Sequence, residues 1–179
     1  MIGNQFLSKG LAAMARAHRV NTMSGHLGAA VVAATFISEL HPDLDERVFR
    51  GIEAELERIM RGESVFSPGE DAGITASEMF EAFSKQPPQA NLIEGIAEAL
   101  SHNIHETRES GHNVIFASIA IRALKDHPEQ AMPDVVKGIR KLIAGFDDAS
   151  PGSGYYGEEK GRIDGREIPL PADETFPLY

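Results

Sequence analysis

The chain resembles itself. Ser24-Gly25-His26 returns as Ser110-Gly111-His112, and His41-Pro42 returns as His127-Pro128 at the same distance from the first histidine. Arg50-Gly51-Ile52 then returns as Lys137-Gly138-Ile139, displaced by one more residue. Short matches in one order, at a nearly constant offset, point to an internally duplicated helical unit. The two copies run over residues 4–61 and 91–146. Each contains one segment too apolar to face water, so the copies are expected to pack on each other.

Leu7, Leu11, Met14 and His18 follow a 3.6-residue period and predict an amphipathic helix over residues 4–22. Residues 25–40 are apolar nearly all round, which predicts a buried central helix ended by His41-Pro42. Asp43 with Glu46 predicts a capping box, and Val48, Ile52, Leu56 and Ile59 a core stripe behind it. Thr75 with Glu78 predicts a second box on a short linking helix that stops before Pro87-Pro88. In the second copy Asn91 is expected to cap a helix over 92–108, and residues 111–126 to form the central helix. Pro133 opens the last helix, with Val136, Ile139, Ile143 and Phe146 as its stripe.

The expected fold is all-α: an internally duplicated helical bundle of two pseudo-equivalent three-helix units and a short linking helix, related by an approximate two-fold. Residues 1–146 form the single helical domain, and 147–179 an extended C-terminal arm rich in Gly, Pro and charge. Arg162–Ile168 is a β-hairpin candidate around Asp164-Gly165. Tyr155, Phe176 and Tyr179 would anchor the arm on its own or a neighbouring subunit, which makes a homo-oligomer the expected partner.

A net charge of −10 with no basic cluster argues against nucleic acid and anionic membrane. The absence of cysteine excludes disulfides, thiolate nucleophiles and zinc–sulfur sites. The N-terminus lacks the apolar block of a signal peptide. The longest apolar run, Leu27–Ile37, is about half of the roughly 20 residues a bilayer span needs. These features together suggest a cytoplasmic protein.

Histidines and carboxylates carry the candidate chemistry. His26 and His112 each open a central helix, where free N–H groups and the dipole favour neutral imidazole, the form that accepts a proton or binds metal. Ser24 and Ser110 would donate to an anion there. The competing reading is a tight structural corner in which each imidazole bonds a nearby carbonyl. In the second copy Glu98, His102, His105 and Glu109 fall within about 60° on one face of a continuous helix, given about 100° per residue. That spacing suits a Zn, Fe or Mn site. A solvated face is the simpler account, because Ile93, Ile96, Leu100 and Ile104 point the other way. His41 and His127 read as helix C-terminal residues that favour the dipole, and His18 as a satisfied core histidine. Asp147-Asp148 with Glu158-Glu159 makes a loose calcium motif that lacks helix–loop–helix spacing.

The function expected is an enzyme or small-ligand binder at the meeting of the two copies. His112 would serve as base or ligand, supported by His26 and by Glu106 or Glu109, for proton transfer or metal-assisted chemistry on a small polar molecule. The rival is a non-catalytic helical interaction module or assembly subunit. Convergence of His112 with a carboxylate favours the first; closure of both imidazoles by backbone carbonyls favours the corner.

Overall fold

The computed structural model describes residues 1–105, 108–155 and 162–164. Glu106, Glu158-Glu159, the residues 165–168 of the hairpin candidate, and the anchors Phe176 and Tyr179 lie outside these. The described chain is mostly helical: α1 (Asn4–Arg16), α2 (Gly25–Leu40), α3 (Glu46–Met60), α4 (Ala76–Met79), α5 (Glu94–Ser101), α6 (His112–Asp126) and α7 (Pro133–Ala144). Short 3-10 turns lead into several of them.

One continuous core holds the helices together. Leu7, Leu11 and Met14 of α1, Leu27, Val31 and Val32 of α2, Phe116 of α6, and Ile139, Leu142 and Ile143 of α7 are all buried in it. Helix α1 lies between α2 and α7, α2 rests on α6, and α5 closes against α6 and α7. Small residues make the central crossings close. Gly10 faces Gly28 across α1 and α2, and Gly138 of α7 faces Ala15 of α1.

Local signals are honoured where they are strongest. Thr75 and Glu78 form a reciprocal capping box, Pro133 opens α7, and the stripe Val136, Ile139, Ile143 and Phe146 is buried throughout. His41 and His127 close α2 and α6 with nearly the same backbone, φ −131°, ψ 61° and φ −127°, ψ 69°.

Elsewhere the boundaries move. Helix α1 stops at Arg16 and continues as a 3-10 turn over Ala17–Arg19, so the expected helix to residue 22 is shortened. The cap of α3 is Asp45, whose carboxylate accepts from the Arg47 N–H, not Asp43. Its buried residues are Phe49 and Leu56, and Ile52 and Ile59 pack partly buried against the core, while Val48 is exposed. Asn91 falls inside a 3-10 turn (Ala90–Ile93) and caps nothing. The helix expected over 92–108 is only α5, ending at Ser101. Buried Asn103 explains the stop: its Nδ2 donates to the Ile143 carbonyl at 3.0 Å and to Asp147 Oδ1 at 2.8 Å, which turns the chain inward. Residues 162–164 form strand β2, paired antiparallel with β1 (Ser153–Tyr155).

The approximate two-fold is not found in the helix packing. Helix α7 contacts both α1 and α5, whereas α3 packs chiefly on α2. The central helix of the first copy is also longer than its apolar run suggests. Thr22–Leu40 spans 19 residues at mean hydropathy 1.3, enough by length and composition to cross a bilayer, yet 61% of it is buried within the fold.

Candidate functional site

The N-termini of α2 and α6 meet, and they bring His26 and His112 together with ring centroids 4.6 Å apart. Aromatic rings surround them. Phe66, from the long loop after α3, stacks on His26 at 4.0 Å with the rings nearly parallel. Phe116 presents its edge to both imidazoles, at 5.1 Å and 5.6 Å. Phe116 lies four residues after His112 on α6, so one helix face supplies both.

Both imidazoles are tied down the same way. His26 Nδ1 lies 2.8 Å from the Met23 carbonyl, and His112 Nδ1 bonds the Glu109 carbonyl. A carbonyl only accepts, so Nδ1 carries the proton and donates in each ring. In the neutral ring Nε2 is then an acceptor. Burial holds the His26 pKa below its ordinary 6.5; the Met23 carbonyl pulls it up, and positive charge on His112 pushes it down again. His18 repeats the device, with Nδ1 2.9 Å from the Ala15 carbonyl.

The two Ser-Gly-His triplets reach this result by different backbones. Ser24 and Gly25 are right-handed helical, and the Asn21 side chain accepts from Ser24 N–H. Ser110 and Gly111 are left-handed, at φ 58° and φ 89°. Gly111 takes that φ without strain, while Ser110 is held there by its N–H donating to Pro151 carbonyl at 2.7 Å. The expected anion donors are already engaged. Ser24 Oγ donates to the Phe66 carbonyl at 3.1 Å, and Ser110 Oγ to the Ser153 carbonyl at 3.1 Å.

Glu109 does not orient His112 through its side chain. Its carboxylate accepts from Ser150 Oγ at 3.2 Å, and only its backbone carbonyl serves the imidazole. The stripe Glu98, His102, His105 and Glu109 is not one helical face, because α5 ends before His102. Among the described residues no three histidines or carboxylates gather as a metal-holding group. Glu98 and His102 instead line a groove with Lys137, Arg140 and Lys141 of α7. Asp147, one of the four carboxylates of the calcium motif, accepts from Asn103 Nδ2. His127 Nε2 meets Glu39 at 2.7 Å, a pairing across α2 and α6 that fits a structural role at the helix ends.

The sequence reading missed Phe66 and Phe116 at the imidazole pair. Phe116 was within reach, since a ring four residues after a histidine shares its helix face; the loop residue Phe66 carried no such signal. Comparison with known proteins returns no matching family model, no matching curated protein and no matching solved structure.

Proposed function

We propose that this chain is a small-ligand-binding helical protein whose site is the paired imidazoles of His26 and His112. The observation that carries the reading is the pairing of two rings whose Nδ1 atoms are both committed to carbonyls. What the protein leaves for a ligand is Nε2 on each, two acceptors beside aromatic walls. Such a pair takes a hydrogen-bond donor or a borderline metal ion of the zinc, iron or manganese kind. If the site is catalytic, the step is proton acceptance by His112 or His26, and neither has a carboxylate from Glu109 to assist it. The ligand class is small and polar; the acidic surface disfavours nucleic acid and anionic membrane as partners.

Zn(II) titration of the untagged full chain, followed by calorimetry and by histidine ring resonances, tests the reading. Saturable binding that His26→Gln and His112→Gln each remove, and that His102→Gln leaves intact, is the expected result. Unchanged His26 and His112 resonances throughout the titration would make the pair a structural corner only.

A second reading is a non-catalytic interaction module. It is favoured by exposed Ile37, Leu40, Leu44 and Val48 around the turn from α2 to α3, with Leu40 61% exposed. Sedimentation of Leu40→Glu against the parent would reveal an association made there. We also infer common descent of the two halves. The support is the shared order of elements, the matched backbone at His41 and His127, and the matched Nδ1–carbonyl bonds at His26 and His112.

A further inference from the structure

Between α5 and α7 runs a groove of about 500 Å³, within the range of small-molecule sites. Glu98, Ser101 and His102 line one side, and Lys137, Arg140 and Lys141 the other. Two lysines, an arginine and an imidazole thus face one carboxylate, on a chain whose net charge is −10. The local excess of positive charge runs against the whole molecule.

Spacing explains how the cations converge. Positions 137, 140 and 141 fall at i, i+3 and i+4 of one helix, a single face. The helix dipole accounts for Lys141 in the last turn of α7 but not for Lys137, nearer its start. Arg47, Arg50, Arg58, Arg61 and Arg122 each hold a carboxylate. The side chains of Lys137, Arg140 and Lys141 hold no hydrogen bond or ion pair among the described residues. Like-charged side chains on one face repel each other, and an anion between them removes that repulsion.

Arg140 is also positioned. Its side chain lies across Gly95 of α5, where an added Cβ would stand 2.9 Å from Nε and 3.0 Å from Cζ. The glycine lets the guanidinium rest against the α5 backbone while its N–H fork stays uncommitted. A planar, pre-placed fork matches the oxygens of a carboxylate or phosphate.

We propose that this groove binds a small, multiply charged oxyanion, of the diphosphate or tricarboxylate type. Arg140 provides the fork, Lys137 and Lys141 the flanking charge, and His102 a further donor. The site is independent of the imidazole pair. Calorimetric titration of the full chain with inorganic pyrophosphate, and separately with citrate, at low ionic strength tests it. Saturable one-to-one binding of either anion is expected, weakening as salt is added. The affinity should fall about tenfold or more in K137Q/K141Q, the loss of two charge-assisted contacts. Gly95→Ala should weaken binding with every charge retained, because it displaces Arg140, and His26→Gln should leave binding unchanged. Preference for one anion over the other separates a phosphorylated from a carboxylate ligand. No saturable binding of either anion, or unchanged affinity in K137Q/K141Q, overturns the proposal; that variant changes only exposed side chains, so it remains informative if Gly95→Ala is poorly folded.

Discussion

A Cβ on Gly28 would stand 2.4 Å from the carbonyl oxygen of Gly10 and 2.5 Å from the amide nitrogen of Met14. Both distances are inside van der Waals contact, and both neighbours are backbone, which cannot swing aside. Gly28→Ala must therefore push α1 and α2 apart, opening the best-buried part of the core. It should lower stability by about 3 kcal/mol or more. Gly51→Ala gives the internal control: it lies in α3 with nothing within 4 Å of the added Cβ. There the helix gains propensity, so stability should rise by about 0.5–1 kcal/mol. Urea unfolding of the two variants reads the contrast, and equal effects would contradict the close crossing.

Asn103 is the joint between the end of α5, the start of α6 and the end of α7. Its Nδ2 donates to the Ile143 carbonyl and the Asp147 carboxylate, and its Oδ1 accepts from Asn113 Nδ2 at 2.9 Å. Replacement by Leu leaves Asn113 Nδ2 only its 3.3 Å bond to the residue-103 carbonyl, and it removes the side-chain donor from the Asp147 carboxylate and from the Ile143 carbonyl, which keeps the Phe146 N–H. The loss should be about 1.5–4 kcal/mol, from three hydrogen bonds worth about 0.5–1.5 kcal/mol each. A chemical melt of Asn103→Leu checks this, and a loss under about 0.5 kcal/mol would show the joint to be dispensable.

Stability should fall as pH drops below 6.5. His18 and His26 both have pKa values held below 6.5, in each case first by burial, with the backbone carbonyls of Ala15 and Met23 opposing it. Positive charge then lowers them further, from Lys141 and Arg19 at His18 and from His112 at His26. The unfolded chain therefore binds protons at a higher pH than the folded one. The contribution is complete above 6.5 and is lost as pH falls from there through the lower folded values. Asp45, Glu63 and Glu78 are held low by the Arg47 side chain, the Arg58 side chain and the Thr75 backbone N–H respectively, so their loss comes in a separate, more acidic window. Melting temperatures between pH 8 and pH 5 should decline, and the decline should be shallower in His18→Asn/His26→Asn.

His26→Ala should be more damaging than His112→Ala. Both lose an Nδ1–carbonyl bond, but only His26 also loses a stacked partner, Phe66. About 1–3 kcal/mol is expected at His26, the hydrogen bond and the aromatic contact together. Thermal unfolding of the two single variants decides the order, and a larger loss at His112 would place the structural weight on the second corner.

The imidazole pair was legible in part because its signal is local: Ser-Gly-His before an apolar helix puts a histidine in the first turn wherever it occurs. That the two first turns touch, with Phe66 between loop and ring, follows from packing alone. The Glu98–Glu109 stripe failed for the converse reason. Helical periodicity carried it past Ser101, while Asn103, an ordinary polar letter in the sequence, found three partners far along the chain or on the next helix and bent the chain.

By itself the sequence determined that this protein is helical, where most helices begin and end, and which residues of α1, α2 and α7 are buried, because periodicity, capping and proline act within a few residues of themselves. Only the tertiary structure decided which helix lies against which, why α3 stays at the edge while α7 enters the centre, and which side chains meet across α2 and α6 or α5 and α7. Those outcomes depend on glycines that permit close crossings and on buried amides that need partners far along the chain, and neither requirement leaves a periodic trace.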